Sequence, residues 1–434
     1  MRTILLLVSL TLLVRGGAML AAPDALRDDV DRYRAVAENL YYRGVFATIE
    51  RPTAYRPPLY PVLLVPAVAL GAWSSVGIAA LHLALGVGTV LLTWRLGQQA
   101  QLGGWAWVAA ALVACDPILV RQSTLVMTET PAAFFAAAGL VALGRATQCP
   151  SAGRAAPAGG CLAAASLCRP TFLPWLAACA LALPCFVPTT AQRLKVFALF
   201  VLAAAVVLSP WTLRNYARFG KPIVSTTHGG YNLLLGNNPF FYEYLRSGAW
   251  GTAWFSGDLD RQWLAEIPAS ETDADRKAYD EAWRNIRAEP GMFAYACLVR
   301  VARLFSPFPH QTDPHEGRSA RALRYAAAAW YVAELPLALA GAVAVGLAWR
   351  AATARANGEP WAPWLWAGLL VLTFVAVHAF YWTDLRMRAP LMPALALAAA
   401  RGAGWLAGAI GRRCRPWPGD SCAGRRPSGP CRGL

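Results

Sequence analysis

Apolar runs recur along this chain at residues 3 to 22, 76 to 97, 104 to 120, 128 to 146, 156 to 168, 171 to 188, 193 to 210, 322 to 349, 362 to 382 and 389 to 410. A hydrocarbon layer roughly 30 Å thick takes about 20 apolar residues per helical crossing, so most of these runs suffice alone. Backbone in lipid must satisfy its own hydrogen bonds, and for single runs of this length the helix does so. The expectation is an all-α polytopic membrane protein of about ten transmembrane helices. The short run at 156 to 168 pairs with 171 to 188 around Arg169-Pro170 as a bent or re-entrant unit, because proline disfavours helix continuation.

Composition agrees, with 57% hydrophobic and 15% charged residues over 434 positions. The net charge of +16 comes almost wholly from arginine, since lysine stands only at 195, 221 and 277. On such a chain basic charge serves topology and anionic lipid, and no groove-binding module argues for nucleic acid. The ten cysteines lie mostly in apolar runs or in the tail, without a Cys-x-x-Cys pair, and read as small apolar fillers. His82, His228, His310, His315 and His378 show no metal-ligand spacing, so the sequence does not support a metal site, and no cofactor is called for. No phosphate loop, dinucleotide fingerprint or nucleophile elbow occurs in a suitable context.

Arg2 before the apolar stretch Ile4 to Val14 mimics a signal peptide, but Arg15 interrupts it. A retained first helix is expected, with cleavage after Ala22 as the alternative. An inside N-terminus makes Arg95, Arg145, Arg154, Arg193, Lys195, Arg350, Arg355 and the tail arginines cytoplasmic, and both termini with them. The loops at 23 to 75 and 211 to 321 then lie outside the cell membrane. Leu59 to Trp73 and Pro290 to Phe308 read as interfacial helices on that side, and 211 to 289 as a small folded cap. Residues 1 to 410 form the membrane domain, and the basic stretch 411 to 434, rich in Pro and Gly, forms a disordered tail.

Acids crowd the first outer segment, Arg27-Asp28-Asp29-Val30-Asp31-Arg32-Tyr33. Read as a helix over 26 to 41, it puts Leu26, Val30, Tyr33, Ala37 and Leu40 on one stripe. Asp29 flanks that stripe, partly desolvated and suited to act as a general base, whereas Asp28 serves as N-cap and Asp31 as solvated surface. The same topology gathers Arg56, Asp116, Arg121, Glu129, Arg169, Arg214, Asn215, Asp384, Arg386 and Arg388 at that membrane edge. Singly, each is the ordinary polar end of a helix. Together, outward-facing arginines beside outward-facing acids suit a reaction between a lipid-linked anion and a polar acceptor, since a guanidinium fork grips phosphate at two points. Glu334, inside an apolar run, has no obvious partner.

The chain at this point resembles a known family. Asp29, Tyr33, Ala37 and Asn39-Leu40, then Arg56-Pro57-Pro58-Leu59-Tyr60-Pro61, Thr128-Glu129, Cys168-Arg169-Pro170, Ser209-Pro210-Trp211-Thr212-Leu213-Arg214-Asn215-Tyr216 and Gly229-Gly230-Tyr231-Asn232 through Gly236-Asn237-Asn238-Pro239 are similar in order to the GT-C membrane glycosyltransferases. Within these the likeness is to family 39 and the aminoarabinose-transferase-like branch, related to protein mannosyltransferases, over roughly residues 5 to 400. The resemblance implies a GT-C-like bundle that moves a sugar, hexosyl or pentosyl, from a polyprenyl-phosphate carrier to a lipid, protein or glycan acceptor on the outer face.

It places the catalytic acid at Asp29, with Asp28 as rival where relatives commonly carry Asp-Glu. Carrier phosphate falls to Arg56, Glu129 matches a second acidic position, and Arg386 and Arg388 fall where relatives carry an Arg-Tyr-containing segment near the last helix. Arg169 and Arg214 join the carrier-binding set, and Tyr33, Tyr60, Asn232 and Asn237 are the expected substrate contacts. The implied chemistry is one inverting displacement. Two other readings stand beside it: a surface-polysaccharide polymerase or ligase, and a transporter or flippase. For transport, charges near the bilayer midplane and matched halves with broken helices are expected, and the sequence shows no internal repeat. A structural membrane protein without chemistry completes the set.

Overall fold

The computed structural model describes residues 1 to 49, 51 to 148, 152 to 248, 253 to 310, 315 to 353 and 361 to 413. Of the tail expected to be disordered, residues 411 to 413 belong to the last helix, and 414 to 434, with Asp420 and four arginines, lie outside the described residues, as do Glu359 and Arg355. Every element among the described residues is helical, apart from one isolated bridge between Ala47 and Pro52.

The N-terminal half comprises α1 (Arg2–Ala21), α2 (Tyr33–Arg43), α3 (Leu59–Val68), α4 (Ser74–Gln99), α5 (Trp105–Cys115), α6 (Pro117–Ser123), α7 (Glu129–Gln148) and α8 (Ala152–Cys168). There follow α9 (Leu173–Ala182), α10 (Thr190–Phe219), and a run of shorter helices, α11 (Gly229–Gly236), α12 (Pro239–Arg246), α13 (Gly257–Glu266) and α14 (Glu271–Ala288). The chain closes with α15 (Pro290–Leu304), α16 (Arg318–Thr353), α17 (Ala362–Phe380), a 3-10 segment Leu385–Leu391 and α18 (Met392–Arg413).

Six stretches among the described residues are long and apolar enough to cross a membrane: Arg2–Ala21, Gly71–Gln99, Glu129–Gln148, Thr190–Phe219, Arg318–Arg350 and Ala362–Phe380. The protein is a multi-pass membrane protein. The other expected runs are helical but interrupted, short or less apolar. The run at 104 to 120 breaks at Asp116, whose extended backbone (ψ 124°) precedes Pro117 and separates α5 from α6. Arg169 breaks the chain likewise between α8 and the turn Pro170–Phe172.

Helix pairs close where side chains are small. Gly341 of α16 faces the Ala398 carbonyl of α18, and Gly402 of α18 faces the Leu337 carbonyl in return. Gly159 of α8 meets the Phe200 carbonyl of α10 in the same manner. A Cβ at any of the three would overlap backbone, so glycine is what permits the approach that gives these pairs their contact. Around them a core built on Trp175, Phe172, Phe374, Trp366 and Leu397 fills the space between α4, α5, α7, α8, α9, α17 and α18.

The expected cap is present as α11 to α14. Ala278 and Ala282 of α14 pack on Leu233 and Leu234 of α11, and Trp263 covers them from α13. This layer is fastened to the bundle through Glu271, which accepts from the Thr53 hydroxyl and the Ala54 amide (both 2.8 Å) and from the Thr227 hydroxyl.

Candidate active site

The first outer segment differs from its expected form. Pro23–Leu26 is a 3-10 turn, residues 27 to 32 are irregular, and α2 begins only at Tyr33. Val30, placed on the apolar stripe by the helical reading, is 82% exposed. The helix start is instead set by Asp29, whose Oδ2 accepts from the Ala35 amide at 2.8 Å, while its carbonyl accepts from Arg32 N at 3.0 Å. Arg32 turns the chain into α2 with φ 59°, ψ 28°, the left-handed region that a non-glycine residue seldom adopts. Such strain persists where the surroundings over-determine it. Asp28 is exposed and does not cap the helix, so the expected division of labour between Asp28 and Asp29 is reversed as to the cap.

Asp29 thereby uses one carboxylate oxygen on the helix terminus, where unpaired amides and the macrodipole favour negative charge. Its other oxygen, Oδ1, is buried without a hydrogen-bond partner. A capped carboxylate with one unengaged oxygen is held still and still able to accept a proton.

Asp31, expected to be mere solvated surface, is the partner of Arg56 at 2.9 Å. The Arg56 guanidinium lies 5.3 Å from the ring centroids of both Tyr33 and Tyr55, so it is held between two aromatic faces. The sequence could offer only charge complementarity for this pair, 25 residues apart. Burial pushes the Tyr33 hydroxyl up to about 12, against the opposing pull of Arg56. Tyr55 also reaches about 12 by burial. Both phenols are thus donors throughout the neutral range.

Glu129, at the first turn of α7 and 2% exposed, pairs with Arg169 at 2.9 Å and lies 3.8 Å from Arg386. Its Oε2 is buried without a partner. Arg169 also donates to the Thr128 hydroxyl at 3.4 Å and points a second nitrogen at the Met387 sulfur at 2.6 Å. Asp384 accepts from the Arg386 amide at 2.6 Å and from its Nε at 3.2 Å. Burial works against the charge on Arg386, but Glu129 and Asp384 outweigh it and hold that guanidinium above its ordinary value. Tyr33 lies in the field of Arg56, Asp31, Arg169 and Glu129, and Tyr60 in that of Asp29, Cys168 and Glu129. The two rings meet edge to face at 5.3 Å. Asp31, Arg56, Glu129, Arg169 and Arg386 therefore form one constellation around Tyr33 at the cap end of the bundle, and Asp29 adjoins it through the neighbouring Tyr60.

Five expected site residues stand elsewhere or face away. Arg214 donates to the Thr53 and Phe46 carbonyls at 2.8 and 2.9 Å and packs on Phe46, Trp211 and Phe219, which makes it a clasp on the loop around the Ala47 bridge. Arg388 is fully buried, donating to the Leu304 and Ser306 carbonyls rather than to the constellation. Asn237 is fully buried, its amide nitrogen bound to the Leu233 and Phe380 carbonyls and its oxygen to Tyr242 and Arg300. Asn232 contributes its carbonyl to Trp382 N at 3.1 Å, joining cap to bundle. Tyr60 is fully buried with its hydroxyl 2.8 Å from His82 Nε2, whose Nδ1 lies 2.9 Å from the Ser123 carbonyl. It supports the floor under Tyr33. Glu334, which lacked a visible partner in the sequence, accepts from the Trp330 indole at 2.6 Å.

Above Arg56 the cap contributes His228, whose ring lies 4.1 Å from that of Tyr55 and stacks on Tyr231 at 5.9 Å. Burial depresses His228 to about 3, with Arg56 adding repulsion. An unfolded histidine titrates near 6.5, so the stability that His228 contributes is complete above that pH and is lost as the pH falls from there towards 3. Between pH 6.5 and 5 the stability of detergent-solubilised protein should therefore fall by up to about 1.4 kcal/mol per pH unit from this residue. Unfolding curves of His228→Gln should lack that increment; identical slopes in both proteins would remove it.

The bundle, its broken helices and the helical cap are similar in fold to a solved membrane enzyme of the GT-C type. Among solved structures, the Archaeoglobus fulgidus oligosaccharyltransferase in its apo form superposes with a TM-score of 0.53 at 16% identity, over 95% of this chain and 52% of that one. The chain thus spans about half the length of that enzyme. The Cupriavidus metallidurans protein ArnT, solved with undecaprenyl phosphate, matches with a TM-score of 0.41 at 14% identity over 94% of this chain and 79% of that one. No family model and no curated protein matches the sequence.

Proposed function

We propose that this protein is a glycosyltransferase that moves a sugar from a polyprenyl-phosphate carrier to an acceptor hydroxyl or amine at the outer face of the cell membrane. One observation carries the reading: three guanidiniums, Arg56, Arg169 and Arg386, gather around Tyr33 at the cap end of the bundle, and a capped Asp29 with a free, buried oxygen lies beside the adjoining Tyr60. The GT-C fold of the chain and the lipid-linked chemistry of that class support it.

In this reading Asp29 Oδ1 takes the proton from the acceptor, the acceptor oxygen or nitrogen forms a bond to the anomeric carbon, and the bond to the carrier phosphate breaks with inversion. The departing phosphate carries the charge away, so no nucleotide is consumed. Each guanidinium already has a carboxylate partner, so a phosphate enters by exchange. Arg56 is suited to it, because Asp31 is partly exposed and can turn to water, whereas Glu129, the partner that Arg169 and Arg386 share, is sealed. The Tyr33 and Tyr55 rings on either side hold the Arg56 fork in place during that exchange. Arg169 and Arg386 then balance the charge growing on the phosphate from behind.

The test is transfer of label from a panel of radiolabelled polyprenyl-phosphate sugars into lipid, protein and glycan fractions of membranes containing the protein. Label should reach one fraction with wild type and fail to with Arg56→Gln. Label reaching no fraction across a broad donor set would overturn the assignment in favour of transport or a structural role.

A further inference from the structure

Behind the constellation lies a second polar cluster that the proposed chemistry does not use. At its centre is Tyr331 of α16, fully buried. Its hydroxyl donates to Asp116 Oδ2 at 2.9 Å and accepts from the Ile118 amide at 3.0 Å. Its ring carries the Arg388 guanidinium at 4.2 Å from the centroid. Asp116 in turn caps α6, its Oδ1 accepting from the Leu119 amide at 2.8 Å. Arg388 reaches on to the Leu304 and Ser306 carbonyls at the end of α15. One side chain therefore joins the break between α5 and α6, the end of α15 and the 3-10 segment.

Both segments it holds lead straight to the constellation. Arg386 and Met387 precede Arg388 in the same 3-10 segment and face Glu129 and Arg169. The α6 helix ends at Ser123, and five non-helical residues, 124 to 128, connect it to Glu129. A ring that only filled space would need no hydroxyl, and phenylalanine would avoid burying one. Here the hydroxyl acts as donor and acceptor at once, which in a buried site fixes its neighbours in one arrangement.

We propose that Tyr331 is a positioning residue that sets the registration of Arg386 against Glu129 without itself touching substrate. The inference rests on the reading of the constellation as the carrier-phosphate site. Its test has one arm that does not depend on that reading.

The first arm is amide hydrogen exchange on the full-length protein in nanodiscs. Tyr331→Phe keeps the ring under Arg388 and removes both hydroxyl bonds, so exchange across residues 116 to 129 should quicken about tenfold, the factor expected for one net buried hydrogen bond. Tyr331→Leu removes the ring as well and should also quicken residues 384 to 391, with the cap helices at 229 to 288 unaltered in both. Unchanged exchange in those segments, or an even rise across the protein, would overturn the proposal. If the leucine variant does not fold, the phenylalanine variant decides.

The second arm measures the Kd for undecaprenyl phosphate in a double-mutant cycle with Arg386→Gln. Tyr331→Leu should weaken binding about tenfold on the wild-type background and add nothing on the Arg386→Gln background, because both act through one guanidinium. Additive losses would mean that Tyr331 does not act through Arg386. Wild-type protein that fails to bind the probe would bring down the carrier-phosphate reading instead, and hydrogen exchange would then decide the positioning role alone.

Discussion

Asp29→Asn is expected to reduce sugar transfer by about 10² to 10⁴-fold in kcat while leaving the protein folded, the range a positioned general base supplies. The substitution separates two jobs held by one side chain. An asparagine oxygen accepts from the Ala35 amide as the aspartate oxygen does, and Asn and Asp rank alike as helix caps. The neutral amide cannot take a proton from the acceptor. Asp29→Ala removes both jobs and should lose about 1 kcal/mol of stability in addition. Transfer assays beside thermal unfolding of the two variants check this: full activity in Asp29→Asn would show that the base lies elsewhere, with exposed Asp28 the next to examine.

The largest expected stability effect belongs to Arg169→Leu. Glu129 is sealed from solvent and paired with Arg169 at 2.9 Å, so removing that partner leaves a buried carboxylate with only Arg386 at 3.8 Å. Breaking a buried pair from one side destabilises by about 3 to 5 kcal/mol, and the remaining guanidinium places this case near 3. The double variant Arg169→Leu, Glu129→Leu should recover much of the loss, because no uncompensated charge then remains. Thermal unfolding in detergent is the measurement. A single variant as stable as wild type would mean that Glu129 takes up a proton and needs no partner.

The fold class was legible because lipid imposes one rule on every crossing segment, and apolar runs report it directly. Arg169-Pro170 and Asp116-Pro117 were legible breaks for a similarly local reason, the conformational restriction that proline places on its predecessor. The site was legible in part. Glu129, Arg169 and Arg386 do meet, and Arg56 lies with them around Tyr33, since topology delivers the same ends of successive helices to one side.

What escaped was side-chain direction. Arg386 and Arg388 are two residues apart in a 3-10 segment, where consecutive side chains point well apart, so one faces Glu129 and the other Tyr331. Asp28 and Asp31 were misjudged because helical phase was applied to residues 27 to 32, which are not helical. No propensity signals that Arg32 adopts a left-handed turn, and the tertiary pairing of Asp31 with Arg56 is what a single sequence hides. Charges away from the edge were also under-counted: Arg15, Asp116, Glu334 and Arg388 are all buried within the bundle.

The glycine contacts between helices bear on how a long lipid could reach such a site. Where Gly341 meets the Ala398 carbonyl and Gly402 the Leu337 carbonyl, α16 and α18 touch backbone to backbone, and α8 and α10 do so at Gly159. An isoprene unit is several ångströms thick and has no room in either seam. For the proposed reaction these two walls are shut, and a carrier's tail must lie against a face of the bundle where bulkier side chains hold the helices apart.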